Sequence, residues 1–459
     1  MKKLLLSLSI LSISFANAQW VESPSGFSVA SRGISHILII DANTVWGLAY
    51  DGAPITATHT VADNVQEYTK TIDGGASWNT GTINVGDTTL GINDLSPADA
   101  NNAWVSAING TTGAGSSIWK TSNGGGAWAQ QNSTGYTNAA SFIDGVHFFN
   151  ANVGVSYGDP GPVPTTFEIY RTINGGTTWT SITSPAITSG DYGYNSGFTF
   201  VGNNIWFGTA KGKIYHSTDQ GATWVKYNSP ILDFGGSITA VSGKMFFSDA
   251  NNGILIANTL SGITTGSTVT ARTLYKTTNG GSSWTSSGTY TQPYTFNICY
   301  IPGTTTLVGN GVTGTGATAV QSTGYSTDNG TTWTQYDMGT QRTSIAFLNP
   351  NLGWAGGFST ADPLTGGVFK FTGTLGNQRF ENASKFKVYP NPANSLVTIS
   401  AANVDSYNLS VTDLTGKIVM TKSLNGIENT LDISALSTGA YFFNLSSDNK
   451  KEVIKILKN

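Results

Sequence analysis

Short apolar segments recur along most of this chain, separated by segments rich in Gly, Ser, Thr, Asn and Asp. Three apolar segments precede each copy of an eight-residue motif, and a fourth begins at the motif's last residue. Short apolar segments bounded by turn residues are typical of β-strands, so each repeat predicts four strands. The six copies of the motif occupy 71–78, 121–128, 172–179, 217–224, 277–284 and 326–333.

The motif has Ser or Thr first, Asp or Asn third, Gly fifth and Trp eighth. We interpret it as a hairpin turn, because the third side chain can accept bonds from nearby backbone N–H groups and Gly supplies a positive φ. The Trp begins the next strand and buries a large ring. Since Asn replaces Asp in three copies, we predict a structural role and no catalysis or metal binding. The third and eighth residues are Asp73, Asn123, Asn174, Asp219, Asn279, Asp328, Trp78, Trp128, Trp179, Trp224, Trp284 and Trp333.

The number of repeats follows from the apolar segments, which give seven first, second and third strands although the motif has six copies. The seventh unit ends at Phe371 without a motif. The missing fourth strand is at the other end of the chain, where the segment that starts at Trp20 is similar to the one that starts at Trp284. Repeats of this length predict propeller blades. We therefore predict an all-β, seven-bladed β-propeller over 19–372, with the N-terminal strand closing the last blade.

The motif resembles the Asp-box, or BNR repeat, of sialidase-like, sortilin-like and photosystem II assembly factor-like β-propellers. The succession of strands and motifs over 21–372 most closely resembles the photosystem II assembly factor-like group. That resemblance implies a non-catalytic binding scaffold. The resemblance to sialidases is weaker, because those enzymes need an arginine triad and this chain has only five arginines, one of them beyond the ring.

The N-terminus predicts export. Lys2 and Lys3 precede an apolar stretch, 4–15, and the small residues Ala16 and Ala18 follow it. This is the composition of a secretory signal peptide, here 1–18, with cleavage before Gln19. No stretch is apolar over enough residues to predict a transmembrane helix.

The C-terminal part predicts a second domain. A polar linker covers 373–385, and alternating apolar residues over 386–459 predict the strands of a small Ig-like β-sandwich. This segment resembles the type A C-terminal sorting domain of the type IX secretion system of Bacteroidota. The resemblance implies recognition by that machinery and export through the periplasm to the outer-membrane surface or the extracellular space of a Gram-negative bacterium. The residues that carry it are Tyr389, Pro390, Asn391, Pro392, Asp413, Gly416, Lys417, Gly439 and Tyr441.

Composition narrows the possible functions. Charged residues make up 11% of the chain, the net charge is −3, and no basic stripe predicts nucleic-acid binding. The single cysteine, Cys299, excludes an internal disulfide and lies in an apolar strand, where a buried inert thiol is expected. The four histidines show no metal-ligand spacing, so we predict neither a metal nor a cofactor. A surface glycan or an extracellular protein is the expected partner.

Candidate binding residues lie where the loops vary. The loops between second and third strands differ greatly in length, whereas the motif hairpins do not, and variable loops on a constant scaffold commonly form binding sites. Ring closure would bring Arg32 near Arg342, and paired guanidiniums suit a carboxylate or sulfate, although a solvated pair or bonds within the loops are the simpler explanation. One loop offers Asp191, Tyr192 and Tyr194, and a second offers Tyr294. Exposed tyrosines suit a sugar or a protein partner, although local packing explains them equally well.

A polysaccharide-acting glycoside hydrolase, xyloglucanase-like or sialidase-like, is the alternative function. Such an enzyme needs two carboxyl groups roughly 5–10 Å apart. The loop candidates are Asp51, Asp159, Asp191 and Asp233. No spacing in the sequence pairs them, and each is also a normal turn residue. The sequence therefore favours a secreted, non-catalytic binding or adhesion scaffold.

Overall fold

The computed structural model describes residues 20–54, 56, 59, 64–110, 112–131, 136, 141–161, 165–263, 267–314, 319–360, 364–373, 386–401, 406–447 and 450–459. The described residues form β-strands and no helix, so the all-β prediction is confirmed. The chain divides into two compact units, Met1–Leu375 and Gly376–Asn459. The predicted signal peptide, 1–18, lies outside the described residues, as do nearly all of the predicted linker and parts of the long loops.

The described residues of the first unit form seven four-stranded antiparallel sheets, which we number in chain order. Sheet 1 contains β2 (Arg32–Ile39), β3 (Val45–Asp51), β4 (Glu67–Thr71) and β5 (Asn79–Thr82). Sheet 2 contains β6 (Gly91–Pro97), β7 (Ala103–Ile108), β8 (Ser117–Thr121) and β9 (Ala129–Gln130). Sheet 3 contains β10 (Ile143–Phe148), β11 (Gly154–Gly158), β12 (Glu168–Thr172) and β13 (Thr180–Ile182). Sheet 4 contains β14 (Phe198–Val201), β15 (Asn204–Gly208), β16 (Lys213–Ser217) and β17 (Val225–Asn228).

The last three sheets follow the same plan. Sheet 5 contains β18 (Val241–Phe247), β19 (Gly253–Leu260), β20 (Val269–Thr277) and β21 (Thr285–Thr289). Sheet 6 contains β22 (Tyr294–Tyr300), β23 (Leu307–Thr313), β24 (Val320–Ser326) and β25 (Thr334–Met338). Sheet 7 contains β26 (Ser344–Asn349), β27 (Leu352–Gly356), β28 (Gly367–Phe371) and the N-terminal strand β1 (Trp20–Pro24).

Sheet 7 joins the two ends of the first unit. Strand β1 pairs antiparallel with β28, with Trp20 opposite Phe371 and Pro24 opposite Gly367. This is the pairing that the sequence predicts for the Trp20 segment. Sheet 7 also contacts sheet 1, where β26 lies against β2 and the Thr343 hydroxyl donates a hydrogen bond to the Ile34 carbonyl. Contacts therefore run from sheet to sheet and return from the last to the first.

The motif hairpins share one hydrogen-bond pattern. In the third copy, Thr172 Oγ1 donates to Asn174 Oδ1 at 3.0 Å and accepts the Gly176 N–H at 2.9 Å. Asn174 Oδ1 also accepts the Thr178 N–H at 2.9 Å. The same three bonds occur in the other five copies. Asn substitutes for Asp because the turn needs only an acceptor oxygen at this position.

Replacing Thr172 by Val tests the importance of this hydroxyl. The side chain is 1% exposed, so an apolar replacement of the same shape leaves the buried Gly176 N–H without a partner. We expect Thr172→Val to lower the free energy of unfolding by about 1–3 kcal/mol. The matched control is Thr177→Val in the same turn, where the side chain is exposed and the change should stay within about 0.5 kcal/mol. Equal effects in urea denaturation would contradict the assigned role.

A lysine and a tryptophan connect neighbouring sheets. In sheet 2, Trp104 Nε1 donates to the Gly175 carbonyl in the motif of sheet 3, and Lys120 Nζ donates to the same oxygen at 3.0 Å. The ammonium lies 4.9 Å from the centre of the Trp104 ring. Lys370 makes the corresponding contact from sheet 7 to Gly74 in the motif of sheet 1. The motif turns therefore stabilise the contacts between sheets as well as the hairpins.

The second unit contains two antiparallel sheets that share one apolar core. The smaller has β29 (Phe386–Tyr389), β30 (Leu396–Ala401) and β33 (Glu428–Asp432) in the order β29-β30-β33. The larger has β31 (Ser406–Thr412), β32 (Ile418–Asn425), β34 (Gly439–Ser447) and β35 (Lys450–Lys458) in the order β32-β31-β34-β35. Ile399 of the smaller sheet and Phe443 of the larger are both fully buried in this core.

Candidate binding site at the axial cavity

The first strands of the seven sheets surround a common cavity. One part, which we call the loop-side cavity, has a volume of about 540 Å³ and is bordered by the 194–199 segment and by residues of β2, β18, β22 and β26. The other, the motif-side cavity, has a volume of about 450 Å³ and is bordered by residues of β2, β6, β10, β14 and β26. Both parts are bordered by His36, Ile37 and Leu38, so they adjoin along β2.

The two parts differ in chemistry. The loop-side cavity carries the polar side chains of Tyr194, Asn195, Lys244 and Asn297. The motif-side cavity is bordered mainly by apolar side chains, including the rings of Phe149, Phe198, Phe200 and Phe347. Small-molecule sites are concave and combine apolar walls with a few placed polar groups. The loop-side cavity, on the side where the connecting loops vary, is therefore the candidate binding site.

The segment from Asp191 to Gly197 enters this site and is held by hydrogen bonds. Asp191 Oδ1 accepts the backbone N–H groups of Tyr192 and Lys211, and its Oδ2 accepts the Thr209 hydroxyl at 3.0 Å. Asp159 Oδ1 accepts the Gly193 N–H at 2.7 Å. Burial raises the pKa of Asp191 and of Asp159. These two predicted site residues therefore position a loop of the cavity wall.

Two tyrosines on that segment share a hydroxyl network. Tyr194 Oη donates to Asp233 Oδ1 at 2.5 Å, and Ser237 Oγ lies 2.7 Å from it and 2.6 Å from Tyr192 Oη. The two rings are 5.6 Å apart at an edge-to-face angle of 65°. Burial, and then the Asp233 hydrogen bond, raise the pKa of Tyr194. Both side chains are half-buried, so each ring keeps an accessible part.

Asp233 is enclosed behind this pair. It is 0% exposed and accepts the backbone N–H groups of Gly235, Ile238 and Thr239. Burial acts to raise its pKa, but hydrogen bonds from Tyr194 and Ile238 outweigh burial and lower it. Asp51, the fourth predicted carboxylate, lies instead at the end of β3, where it accepts the Ala53 N–H and lies 2.9 Å from His59 Nε2. The structure thus brings Asp159, Asp191 and Asp233 around one loop and leaves Asp51 apart.

The structure corrects the prediction that Arg32 and Arg342 pair to bind an anion. Arg32 Nε bonds Glu67 Oε2 at 3.0 Å, whereas Arg342 Nη2 bonds Asp337 Oδ2 at 2.5 Å and is 5% exposed. Each guanidinium therefore has a carboxylate of its own. Paired guanidiniums repel each other, and the sequence did not show that each has an acid within reach.

The structure also corrects the prediction for Tyr294. We predicted an exposed ring, but Tyr294 is 3% exposed and stacks on Trp333 with ring centres 4.8 Å apart. The ring fills space inside sheet 6, because it lies over Gly324 of β24, where an added Cβ would come within 2.4 Å of the ring. Cys299 has no disulfide partner, and burial raises the pKa of its thiol to about 12, as an inert thiol requires.

Two carboxyl groups on first strands were missed by the sequence analysis. Asp144 is 1% exposed, and its Oδ2 has no hydrogen-bond partner and lies against Gly193, where an added Cβ would come within 2.3 Å. Burial, and then the charge of Asp159, raise the pKa of Asp144 well above its usual range. Asp94 accepts the Leu95 and Val146 N–H groups, and burial raises its pKa to about 8. The sequence did contain a sign of these two buried carboxyl groups, because each is an aspartate inside an otherwise apolar strand.

The raised pKa of Asp94 predicts a pH-dependent stability. Between the unfolded value of 3.8 and the folded value of about 8, the folded state binds more protons, so stability falls as the pH rises through this window. Asp94→Asn removes that dependence. We expect the variant to gain on the order of 5 kcal/mol over the wild type between pH 4 and pH 8, measured by urea denaturation. Neutral His147, whose pKa burial lowers to about 3, has the opposite slope, but it cancels because both proteins contain it. Parallel stability curves would contradict the assignment.

The sorting-signal residues form turns and edges of the second unit. Asp413 Oδ1 accepts the N–H groups of Thr415 and Lys417, and Gly416 has a φ of 84° in the same turn. Asn391 bonds the backbone of Lys455 and Leu457 in β35. Tyr389 Oη donates to Glu428, Tyr441 Oη donates to the Ser437 carbonyl, and Gly439 begins β34.

The C-terminal match to known proteins is specific. Residues 387–459 match the family described as secretion system C-terminal sorting domain. The chain therefore carries the sorting domain of type IX secretion, which directs export to the cell surface or the extracellular space in Bacteroidota.

No curated protein matches the chain. Among the described residues, none forms a helix long and apolar enough to cross a membrane. Within the same residues, no group of three or more His, Cys, Asp or Glu has the arrangement of a metal site.

Solved structures resemble this chain. The structure of YCF48 bound to D1 peptide is 15% identical, covers 78% of this chain and 97% of its own, and has a TM-score of 0.50. YCF48 from Cyanidioschyzon merolae is 15% identical, covers 77% of this chain and 99% of its own, and has a TM-score of 0.49. The GH74 xyloglucanase from Xanthomonas campestris is 12% identical, covers 95% of this chain and 67% of its own, and has a TM-score of 0.48. The first of these likenesses, together with the repeated four-stranded sheets, shows a propeller fold.

Proposed function

We propose that this chain is a non-catalytic binding scaffold that acts outside the cell after type IX export. In this proposal the seven sheets over 19–372 are the blades of a seven-bladed propeller, 1–18 is a cleaved signal peptide, and 386–459 is an Ig-like sorting domain after a linker. The partner binds at the loop-side cavity. One observation carries the proposal: the loop carboxylates bond backbone N–H groups, while a tyrosine ring, two amides and a lysine border the cavity.

The engagement of the carboxylates argues against their use in hydrolysis. A glycosidase needs one carboxylic acid and one carboxylate with access to the scissile bond. Asp233 already accepts three backbone N–H groups, and Asp191 accepts two together with a hydroxyl. These bonds would have to break for either residue to reach a substrate, and the loop they hold would lose its support.

A glycan is the partner that this cavity fits best. Sugar rings present apolar faces that lie against aromatic rings, and hydroxyl groups that bond to amides. Tyr194 supplies the ring, with Tyr192 packed edge-to-face against it, and Asn195 is exposed beside them. The volume of about 540 Å³ lies within the range of small-ligand sites.

A glycan-array screen of the mature chain from Gln19, run beside turnover assays on the same glycans, tests this proposal. We expect binding without turnover, and loss of most of that binding in Tyr194→Ala, whose ring borders the cavity. The matched control is Ile173→Ala, because Ile173 is 66% exposed but lies in a motif hairpin on the opposite face. Turnover of a bound glycan, or equal binding by both variants, would overturn the proposal.

A glycoside hydrolase is the second candidate, and one observation favours it. Asp144 and Asp159 are two carboxyl groups whose pKa values burial raises, and a raised pKa suits a general acid. In that case Asp159→Asn should abolish turnover and remove a limb of the pH profile while the protein stays folded. If no glycan is turned over by the wild type, this candidate fails.

A further inference from the structure

Lys244 is a cation inside the cavity without an anion. It belongs to β18, the first strand of sheet 5, and its side chain borders the loop-side cavity. Its ammonium donates a hydrogen bond to the Phe296 carbonyl at the long distance of 3.3 Å. Among the described residues, the ion pairs are Arg32–Glu67, His59–Asp51 and Arg342–Asp337, so none involves Lys244.

The position of Lys244 leaves its ammonium available to a ligand. The side chain is exposed to the solvent of the cavity, and the surrounding cavity walls lower the pKa of its ammonium by partial desolvation. A charge that is partly removed from bulk water gains from an opposite charge nearby. Lysines of the third strands, such as Lys120, instead lie over a tryptophan ring and bond a carbonyl at 3.0 Å. Lys244 has no ring contact of this kind among the described residues.

The groups around Lys244 add no negative charge to the cavity. His36 lies close enough to interact with Lys244, and burial, and then that lysine's charge, lower its pKa to about 4, so it is neutral at pH 7. Asn195, Asn297 and Ser344 border the same cavity and are uncharged. Tyr194 is held as a neutral phenol by Asp233, whose own charge is enclosed by backbone N–H groups. The loop-side cavity therefore has one positive charge and a neutral polar wall.

We propose that the loop-side cavity binds a carboxylate-bearing sugar residue, with Lys244 Nζ pairing the carboxylate and Tyr194, Asn195 and Asn297 contacting the ring and its hydroxyls. This inference rests on the proposed function and names its substrate class. A carboxylate relieves the unpaired cation, whereas a neutral sugar leaves it unpaired. The cavity volume of about 540 Å³ accommodates a ligand the size of a sugar residue.

The test uses calorimetric titration of the mature chain with oligosaccharides that contain glucuronic or galacturonic acid, and with neutral counterparts that contain glucose or galactose. The variants are Lys244→Met, which keeps the length and removes the charge, and Lys244→Arg, which keeps the charge. We expect the acidic sugars to bind the wild type at least about tenfold more tightly than the neutral ones, because a partly buried charged hydrogen bond is worth that much. Lys244→Met should lose this preference and Lys244→Arg should keep most of it.

A stability measurement separates binding from folding. Because the Lys244 side chain is exposed and makes one long hydrogen bond, Lys244→Met should leave the melting temperature without ligand close to that of the wild type. The acidic sugar should raise the melting temperature of the wild type and not that of Lys244→Met. Loss of binding together with a lower melting temperature without ligand would overturn the assignment of Lys244 as a ligand-binding group.

The remaining outcomes distinguish the two proposals. Equal affinity for acidic and neutral sugars would overturn the inference and leave the proposed binding function standing. Lys244-dependent binding of a short peptide with a free C-terminal carboxylate, but not of its amide or of the acidic sugars, would overturn the sugar and assign the site to a peptide terminus. If the wild type binds no glycan in the array at all, the proposed function fails together with the inference.

Discussion

Trp20→Ala is expected to lower the free energy of unfolding of the mature chain by about 3–5 kcal/mol, the usual cost of truncating a buried tryptophan. Trp20 is 6% exposed, and its ring lies edge-to-face on Phe371 at 5.2 Å and on Phe347 at 5.8 Å. Its Nε1 donates to Tyr336 Oη in sheet 6 at 3.1 Å. The substitution therefore removes core packing in sheet 7 and a bond to the neighbouring sheet.

The effect should exceed that of any other single truncation in β1, because Trp20 anchors the strand that closes the ring. Without β1, strand β28 becomes an exposed edge with unpaired backbone groups. The matched control is Val21→Ala, whose side chain is 51% exposed and should cost less than about 0.5 kcal/mol. Urea denaturation of both variants measures the difference. Similar values for the two would show that the ring closes without help from the Trp20 side chain.

Asp337→Ala is expected to cost about 3 kcal/mol, because it leaves the Arg342 guanidinium buried without its carboxylate. Arg342 lies between the rings of Trp20 and Phe369, each 4.9 Å from the guanidinium carbon, and its Nη1 donates to Thr323 Oγ1 at 2.9 Å. The side chain thus connects sheet 6 with sheet 7 where the ring closes. A residue in this position contributes to stability, and at 5% exposure its guanidinium is enclosed away from any ligand.

The other arginine supplies the comparison. Glu67→Ala removes the carboxylate of Arg32, but that pair is partly exposed, so a loss of about 0–1 kcal/mol is expected. The double variant Asp337→Ala/Arg342→Met should recover part of the stability that Asp337→Ala loses, since it removes the unpaired charge. If the two single carboxylate variants lose equal stability, or if the double variant recovers none, the assignment of a buried ion pair is wrong.

The sequence predicted the repeated elements because they depend on local chemistry. The bonds from Thr172 to Asn174 and Gly176 span four residues, so the pattern is visible in the motif itself. The strand at Trp20 was found in the same way, from its similarity to another copy of the fourth strand. In both cases the structure could be predicted either from residues close together in the sequence or from similarity to another repeat.

The candidate site was harder to predict, because it depends on contacts between distant segments. The sequence identified Asp159, Asp191 and Asp233 but not that Asp159 bonds Gly193 and Asp233 bonds Tyr194, contacts across 34 and 39 residues. It placed Arg342 in a ligand site because neither Asp337 nor Trp20 could be located around it. Lys244 was missed for a related reason: one lysine in a strand gives no sign that the strand borders a cavity.

The central claim is that the loop-side cavity binds a glycan and leaves it intact. The most direct measurement incubates the mature chain with a glycan identified on the array, determines the binding stoichiometry, and recovers the glycan for mass spectrometry. We expect one glycan for each chain, full recovery of the uncleaved molecule, and loss of binding in Tyr194→Ala but not in Ile173→Ala. Recovery of shortened glycans, or binding that survives Tyr194→Ala and is lost in Ile173→Ala, would contradict the claim.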